Sequence, residues 1–247
     1  MSPELKALLD KYSPFFVEAR KRVVLTLLIF IVATVAGFFF YEQIIKFLIA
    51  TLGLGGINIV FTSPFQFINL ALSCGIATGI IVSLPVFIYQ ILSFLRPAIS
   101  KREYRIVIGF LPFSFILFFI GFVAGALLMK WQITIFLASS VSIGIGNVLD
   151  ISKLLTTVLL TSVLMGVGFQ FPIVLLLLLR LGVINQNQLK SKRKWIYIGS
   201  LVFAVLLPAD SILADILLAL PLIILFELTL ILNRIFESKK NNNPKLL

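Results

Sequence analysis

The sequence predicts an all-α integral membrane protein with six transmembrane helices and both termini on the cytoplasmic side. Three observations carry this. Of 247 residues, 60% are hydrophobic and the mean hydropathy is +1.12, above the roughly half-apolar composition of soluble domains. Several apolar runs approach the roughly 20 residues that a helix needs to cross a hydrocarbon core of about 30 Å. The Lys and Arg residues collect in alternate connections. Residues 1–22 hold Lys6, Lys11, Arg20, Lys21 and Arg22, and the second-to-third loop holds Arg96, Lys101, Arg102 and Arg105. The fourth-to-fifth loop holds Arg180, Lys190, Lys192, Arg193 and Lys194, and the tail holds Arg234, Lys239, Lys240 and Lys245. The other three loops have only Lys46, Lys130 and Lys153. Eighteen cations against three is a positive-inside pattern, and it requires an even number of spans.

The elements follow in chain order. In residues 1–22, Leu5, Leu8, Leu9, Tyr12 and Phe16 recur at helical spacing with Lys6 and Lys11 between them, the pattern of an interfacial amphipathic segment. The first span is Val23 to Phe40, too long for a signal-peptide core and without a cleavage motif, so it is read as retained. The second runs from Phe67 to Leu92 with Pro85 inside, and the third from Ile106 to Met129 with Pro112 inside. The fourth, Leu154 to Leu179, is interrupted by Gly166, Gly168, Gln170 and Pro172. The fifth, Trp195 to Leu207, covers only about 20 Å, which local thinning or tilted neighbours must accommodate. A tight turn at Pro208-Ala209-Asp210 leads to the sixth, Ile212 to Leu232. The spans occupy a domain of residues 23–232, and residues 233–247, with three successive Asn, read as an unstructured cytoplasmic tail.

Composition also excludes. The net charge of +11 sits between apolar runs, where it orients a membrane protein, so no nucleic-acid partner is expected. Histidine is absent and Cys74 is the single cysteine. That leaves no disulfide, zinc cluster or Cys-His or Ser-His dyad, and no cofactor or metal is expected. The two halves lack mirrored hydropathy, so the inverted-repeat signature of secondary transporters is missing.

Polar groups placed where polarity is costly are the informative ones. Glu227 lies in the sixth span without a cation at helical spacing and must be protonated or paired across helices, for a structural or a functional end. Gln170 lies deep in the fourth span beside Pro172, which removes a backbone donor; either a packing kink or a polar contact for a guest helix fits. Gly75-x-x-x-Gly79 and Gly121-x-x-x-Gly125 are small-residue patterns that serve internal packing. Glu18 and Glu103 are lone acids in basic segments. Pairing with neighbouring Arg and Lys accounts for both, and a carboxylate also matches the fork of a guest arginine.

Taken together, certain blocks resemble one family. They are Leu84 to Arg105, containing Leu84-Pro85-Val86-Phe87 and Phe94-Leu95-Arg96-Pro97; Gly166 to Val174; Glu18-x-Arg20-Lys21-Arg22; the turn Leu207-Pro208-Ala209-Asp210; and Leu218-Ala219-Leu220-Pro221 followed by Phe226-Glu227-Leu228. In this order they resemble TatC, the receptor subunit of the twin-arginine translocase, over nearly the whole chain. The resemblance implies a cup-like fold of six helices that binds twin-arginine signal peptides of folded cargo. It implies transport driven by the proton-motive force, with single-span TatA/TatB-type partners and a homo-oligomer within a receptor complex in the lipid bilayer. It assigns signal-peptide binding to Glu18, Arg20, Phe94 and Glu103. It implies intramembrane polar or partner contacts at Gln170, Leu206, Asp215 and Glu227, with Leu206 to Asp215 as the docking surface for a partner helix. Relatives often carry Glu where Gln170 stands, and Pro-Pro-Asp where this chain has Pro208-Ala209-Asp210. A bacterial cytoplasmic membrane is the expected location, with the plastid thylakoid as alternative. The competing readings are a small-solute secondary transporter, with Gln170, Pro172 and Glu227 as its site, and a membrane-embedded enzyme. The second lacks clustered acids and His.

Overall fold

The computed structural model describes the backbone of residues 3–53, 58–61, 63–94, 96, 101–142, 148–209 and 211–242. The described backbone is helical apart from turns and two short strands. Helix α1 (Pro3–Phe39) is continuous from the N-terminal segment into the first span, and α2 (Tyr41–Leu52) follows almost directly. Then come β1 (Asn58–Val60), α3 (Gln66–Phe94), α4 (Lys101–Ser142) and β2 (Val148–Asp150). The chain continues through α5 (Ile151–Gly168), α6 (Phe171–Arg180), α7 (Gln186–Ser191), α8 (Arg193–Val205) and α9 (Ile212–Asn242).

Five helical stretches are long and apolar enough to cross a membrane: Phe16–Phe39, Gln66–Phe94, Ile108–Ser140, Ile151–Leu179 and Ile212–Ile231. The chain is therefore an integral membrane protein. Where a fifth span is expected, Trp195 to Leu207, the chain forms α8, Arg193–Val205; its 13 residues fall short of a bilayer crossing. The first apolar stretch starts at Phe16, ahead of the expected Val23. The side chains of residues 1–15, on which the amphipathic reading rests, lie outside the described residues. Helix α9 continues past the expected exit at Leu232 to Asn242, while residues 243–247 lie outside the described residues.

Two features depart from a purely helical expectation. Residues 41–52, expected as part of an external loop, form α2, because Ile44, Ile45, Leu48, Ile49 and Leu52 share one face and pack into a core with Leu70, Cys74 and Leu155. Gly53, at φ 69°, ends α2 with its N–H on Ala50 O, a backbone position where glycine meets no Cβ penalty. Strands β1 and β2 pair in parallel, Asn58 with Val148 and Val60 with Asp150. Each strand supplies backbone partners for the N–H and C=O groups of the other. The side chain of Asp150 caps α5 at Lys153 N (3.1 Å) and accepts from Gln66 Nε2 at the start of α3 (2.6 Å). Lys130 donates to Thr51 O (2.9 Å), so α4 reaches over the end of α2. At 42 residues α4 is about 63 Å long, twice the hydrocarbon thickness.

The small-residue patterns do what their spacing predicts. A Cβ on Gly75 would come within 2.7 Å of Thr34 O, and Gly79 lies against Thr34 and Phe30, so α3 seats on α1 along its glycine face. Gly121 and Gly125 of α4 lie against Phe169 and Met165; a Cβ on the first would come within 2.6 Å of the Phe169 ring. The break in the fourth span falls where expected. After Gly168 the chain turns through Phe169 and Gln170 and resumes as α6, with Pro172 in its first turn. Proline costs nothing there, because its missing N–H would be unpaired anyway. The α5–α6 stretch is the centre of the bundle: 61% of its most apolar window is buried, against 11% for α1.

Candidate functional site

The basic segments converge at one end of the bundle. Leu92 of α3 and Leu177 of α6 pack with Leu111 of α4 and Leu181, joining the end of α3, the start of α4 and the end of α6. Gln186 Nε2 donates to Leu230 O (3.3 Å), tying α7 to the last turns of α9.

Glu18 is a half-exposed member of a network at this end. Arg22, one turn along α1, donates from Nε (3.2 Å) and Nη2 (2.6 Å) to Glu18 Oε1. Its Nη1 donates to Gln90 Oε1 on α3 (2.9 Å). Both bonds from Arg22 land on the same carboxylate oxygen, and among the described residues Oε2 carries no bond. The carboxylate is thus held from one side and open on the other. Gln90 lies one turn before Phe94 on the same face of α3, so the network ties Glu18 to the face that ends in Phe94. Phe94 is half-buried and Arg20 is exposed. Glu103 lies in the first turn of α4, and its side chain is outside the described residues. Beside it, the Arg96 guanidinium stacks 5.5 Å from the Tyr104 ring centroid, linking the loop after α3 to α4. Arg22 and Gln90 were not singled out from the sequence; their bond joins residues 68 apart.

The intramembrane polar residues do not form one cluster. Gln170, 8% exposed, accepts from Ser114 Oγ on α4 (2.5 Å) and donates to Ser114 O (3.1 Å). Its amide therefore pins the α5–α6 break to α4. Glu227 is paired across helices, with Arg193 Nη2 of α8 (3.3 Å) and Tyr197 Oη (2.5 Å); the pairing resolves the choice left open by the sequence. Tyr197 also meets Phe226 edge-on, with centroids 6.0 Å apart. Leu206, 76% exposed, ends α8. Asp215 stands in the first turn of α9, where a carboxylate suits the helix dipole. Its Oδ1 is buried with no hydrogen-bond partner among the described residues. Asp210 of the turn lies outside the described residues. Next to it, Ser211 Oγ accepts from Gln132 Nε2 of α4 (2.9 Å) and from Ala214 N (3.2 Å).

A transporter site would need Gln170 and Glu227 to converge on a shared cavity. Each is committed to a different helix, and the cavity that Gln170 lines does not include Glu227. Fold and site define a polytopic helical membrane protein whose basic segments gather at one end of the bundle. The family described as Sec-independent protein translocase protein (TatC) matches residues 14–221, and the chain belongs to that family. It is similar to the translocase protein TatCy of Bacillus subtilis, at 29% identity over 88% of this chain and 86% of that one. Similarity to TatC of Aquifex aeolicus is 27% identity over 92% and 96%. Among solved structures, the twin-arginine translocase receptor TatC in detergent superposes with a TM-score of 0.76 at 26% identity, covering 88% of this chain and 98% of that one. The chain is thus a protein translocase component and not a catalytic enzyme.

Proposed function

We propose that this chain is the receptor subunit of a twin-arginine translocase and binds signal peptides through the basic end of the bundle. The carrying observation is the Glu18 carboxylate, gripped on Oε1 by Arg22 while Oε2 carries no bond among the described residues, on the helix pair that leads to Phe94. A guanidinium can add to the open edge through its planar fork, whereas a lysine ammonium makes a single point contact. Glu103 supplies the second carboxylate, Phe94 the apolar contact and Arg20 the neighbouring positive charge. Hydrogen bonds to charged groups contribute roughly 1.5–3 kcal/mol each. Two such acids select an arginine pair without irreversible capture.

The same proposal gives α8 a spanning role, making six spans with both termini cytoplasmic. The positive-inside count and the Arg22–Gln90 contact between the starts and ends of neighbouring helices support it. The domains are the N-terminal segment 1–22, the helical domain 23–232 and the tail 233–247. The exposed apolar side chains of Leu206 (76%) and Ile212 (79%) support Leu206 to Asp215 as the docking surface for single-span TatA/TatB-type subunits. The proton-motive force drives the step, and the protein works as a homo-oligomer in a bacterial cytoplasmic membrane, the location that fits its bacterial relatives. The direct test titrates the purified protein with a twin-arginine peptide and its double-lysine variant. Binding of the first and loss of the second supports the receptor; equal binding of both, or of neither, removes it.

A further inference from the structure

A groove with a cavity volume of about 850 Å³ lies between α6, α8 and α9. Its walls are mostly apolar: Val174, Leu175, Ile196, Phe203 and Leu222 line it, with Gln170 and Ser200 among them. From Trp195 near its mouth to Phe203 it runs along α8 for about 12 Å, close to the roughly 15 Å depth of one leaflet. At the mouth stand Lys192 and Gln188. Lys190 and Lys194 flank Lys192 in sequence, and all three lysines are exposed. Among the described residues none of the three has an ion pair, whereas their neighbour Arg193 is taken by Glu227. The mouth is also where α8 begins, so the positive end of its dipole adds to the same field.

We propose that this groove is an anionic phospholipid site, with an acyl chain along the apolar wall of α8 and the phosphate at Lys192. Cationic pockets between spanning helices attract anionic headgroups in this way. A zwitterionic lipid could fill the apolar part equally well but would gain little from the unpaired lysines. A polar solute would find only Gln170 and Ser200 on the groove walls, both already hydrogen-bonded within the chain. A guest peptide helix would need a negative end at the mouth to use the same charges, and the lysines alone give no reason to require one.

The chain has two tryptophans, Trp131 and Trp195, and only Trp195 lines this groove. With Trp131→Phe, fluorescence therefore reports on Trp195 alone, at the exposed rim of the groove. The full-length variant is placed in phosphatidylcholine vesicles containing phosphatidylglycerol or phosphatidylcholine brominated on the acyl chains, at matched mole fraction. We expect phosphatidylglycerol to reach Trp195 with about five-fold higher apparent affinity, the worth of one lysine beside a phosphate. The preference should fall in Lys192→Gln and disappear in the triple variant Lys190→Gln, Lys192→Gln, Lys194→Gln, with emission in pure phosphatidylcholine unchanged. Equal quenching by the two lipids, or a preference that survives the triple variant, overturns the proposal. So does the absence of quenching by either, which would mean that something other than a phospholipid fills the groove. No signal peptide is present, so the outcome is independent of the receptor reading.

Discussion

At the scale of single residues, the arrangement around Glu18 separates holding from binding. Arg22 uses two nitrogens on one oxygen of Glu18 and a third on Gln90, which fixes the carboxylate against α3 without consuming its second oxygen. An exposed ion pair of this kind contributes at most about 1 kcal/mol to stability; its value is positional. Glu103, at the start of α4, has no such task in the proposal other than meeting an arginine. Glu103→Ala is therefore expected to weaken twin-arginine peptide binding roughly ten- to hundred-fold, the loss of one charged hydrogen-bonded partner. Insertion and thermal stability should be unchanged. Calorimetric titration beside a melting curve checks both, and wild-type affinity in the variant would remove Glu103 from the site. Glu18 and Glu103 stood out in the sequence because each is the lone acid in a basic segment. The positioning pair did not, because nothing local marks Arg22 and Gln90 as neighbours across 68 residues.

At the scale of elements, helix breaks and close helix contacts carry the architecture. The turn between α5 and α6 pairs its own N–H groups: Phe169 N bonds Met165 O and Gln170 N bonds Val167 O, both at 2.9 Å. The Gln170 amide then ties the turn to Ser114 of α4. Gln170→Leu removes both bonds and leaves a buried hydroxyl, at a cost of about 1–3 kcal/mol. It lies away from the Glu18 network, so cargo export is expected to fall while peptide affinity stays within about two-fold, a change below 0.5 kcal/mol. Export at the wild-type level would reduce Gln170 to packing. The α1–α3 contact is steric. Gly79→Val would drive a side chain into Thr34 and Phe30 and should destabilise by about 1–3 kcal/mol. Gly109→Ala, with nothing within 4 Å of the added carbon, should be tolerated. Denaturation in detergent micelles compares them, and equal stability would mean that the glycine face is not a tight seam.

At the scale of the whole molecule, what was legible in the sequence was what run length and local spacing encode. Five of the apolar runs, the break at Gln170 and Pro172, and the glycine seams follow from neighbours within one or two turns. The parallel pairing of β1 with β2 was not legible. Strands of three residues carry no usable period, and their partners lie across two membrane passages. Nor was the partner of Glu227, since Arg193 sits on another helix. Helix α2 did carry a signal, the i, i+3, i+4 recurrence of Ile45, Leu48, Ile49 and Leu52, hidden by its position in an external loop. Helix α8 is the instructive case: its 13 residues are too few for a crossing by length, yet the alternation of basic segments needs it as one. In the proposed topology, charge alternation supplies a sixth passage that hydropathy does not.

The proposed function stands or falls on which side of the membrane the start of α4 faces and what covers it there. Cys74, the single native cysteine, is buried, so Lys101→Cys in Cys74→Ala provides one reporter beside Glu103. A membrane-impermeant maleimide should label it in inverted vesicles and not in intact cells, and a twin-arginine peptide, unlike its double-lysine variant, should protect it. Labelling from outside intact cells, or equal protection by both peptides, would contradict a receptor that meets its cargo in the cytoplasm.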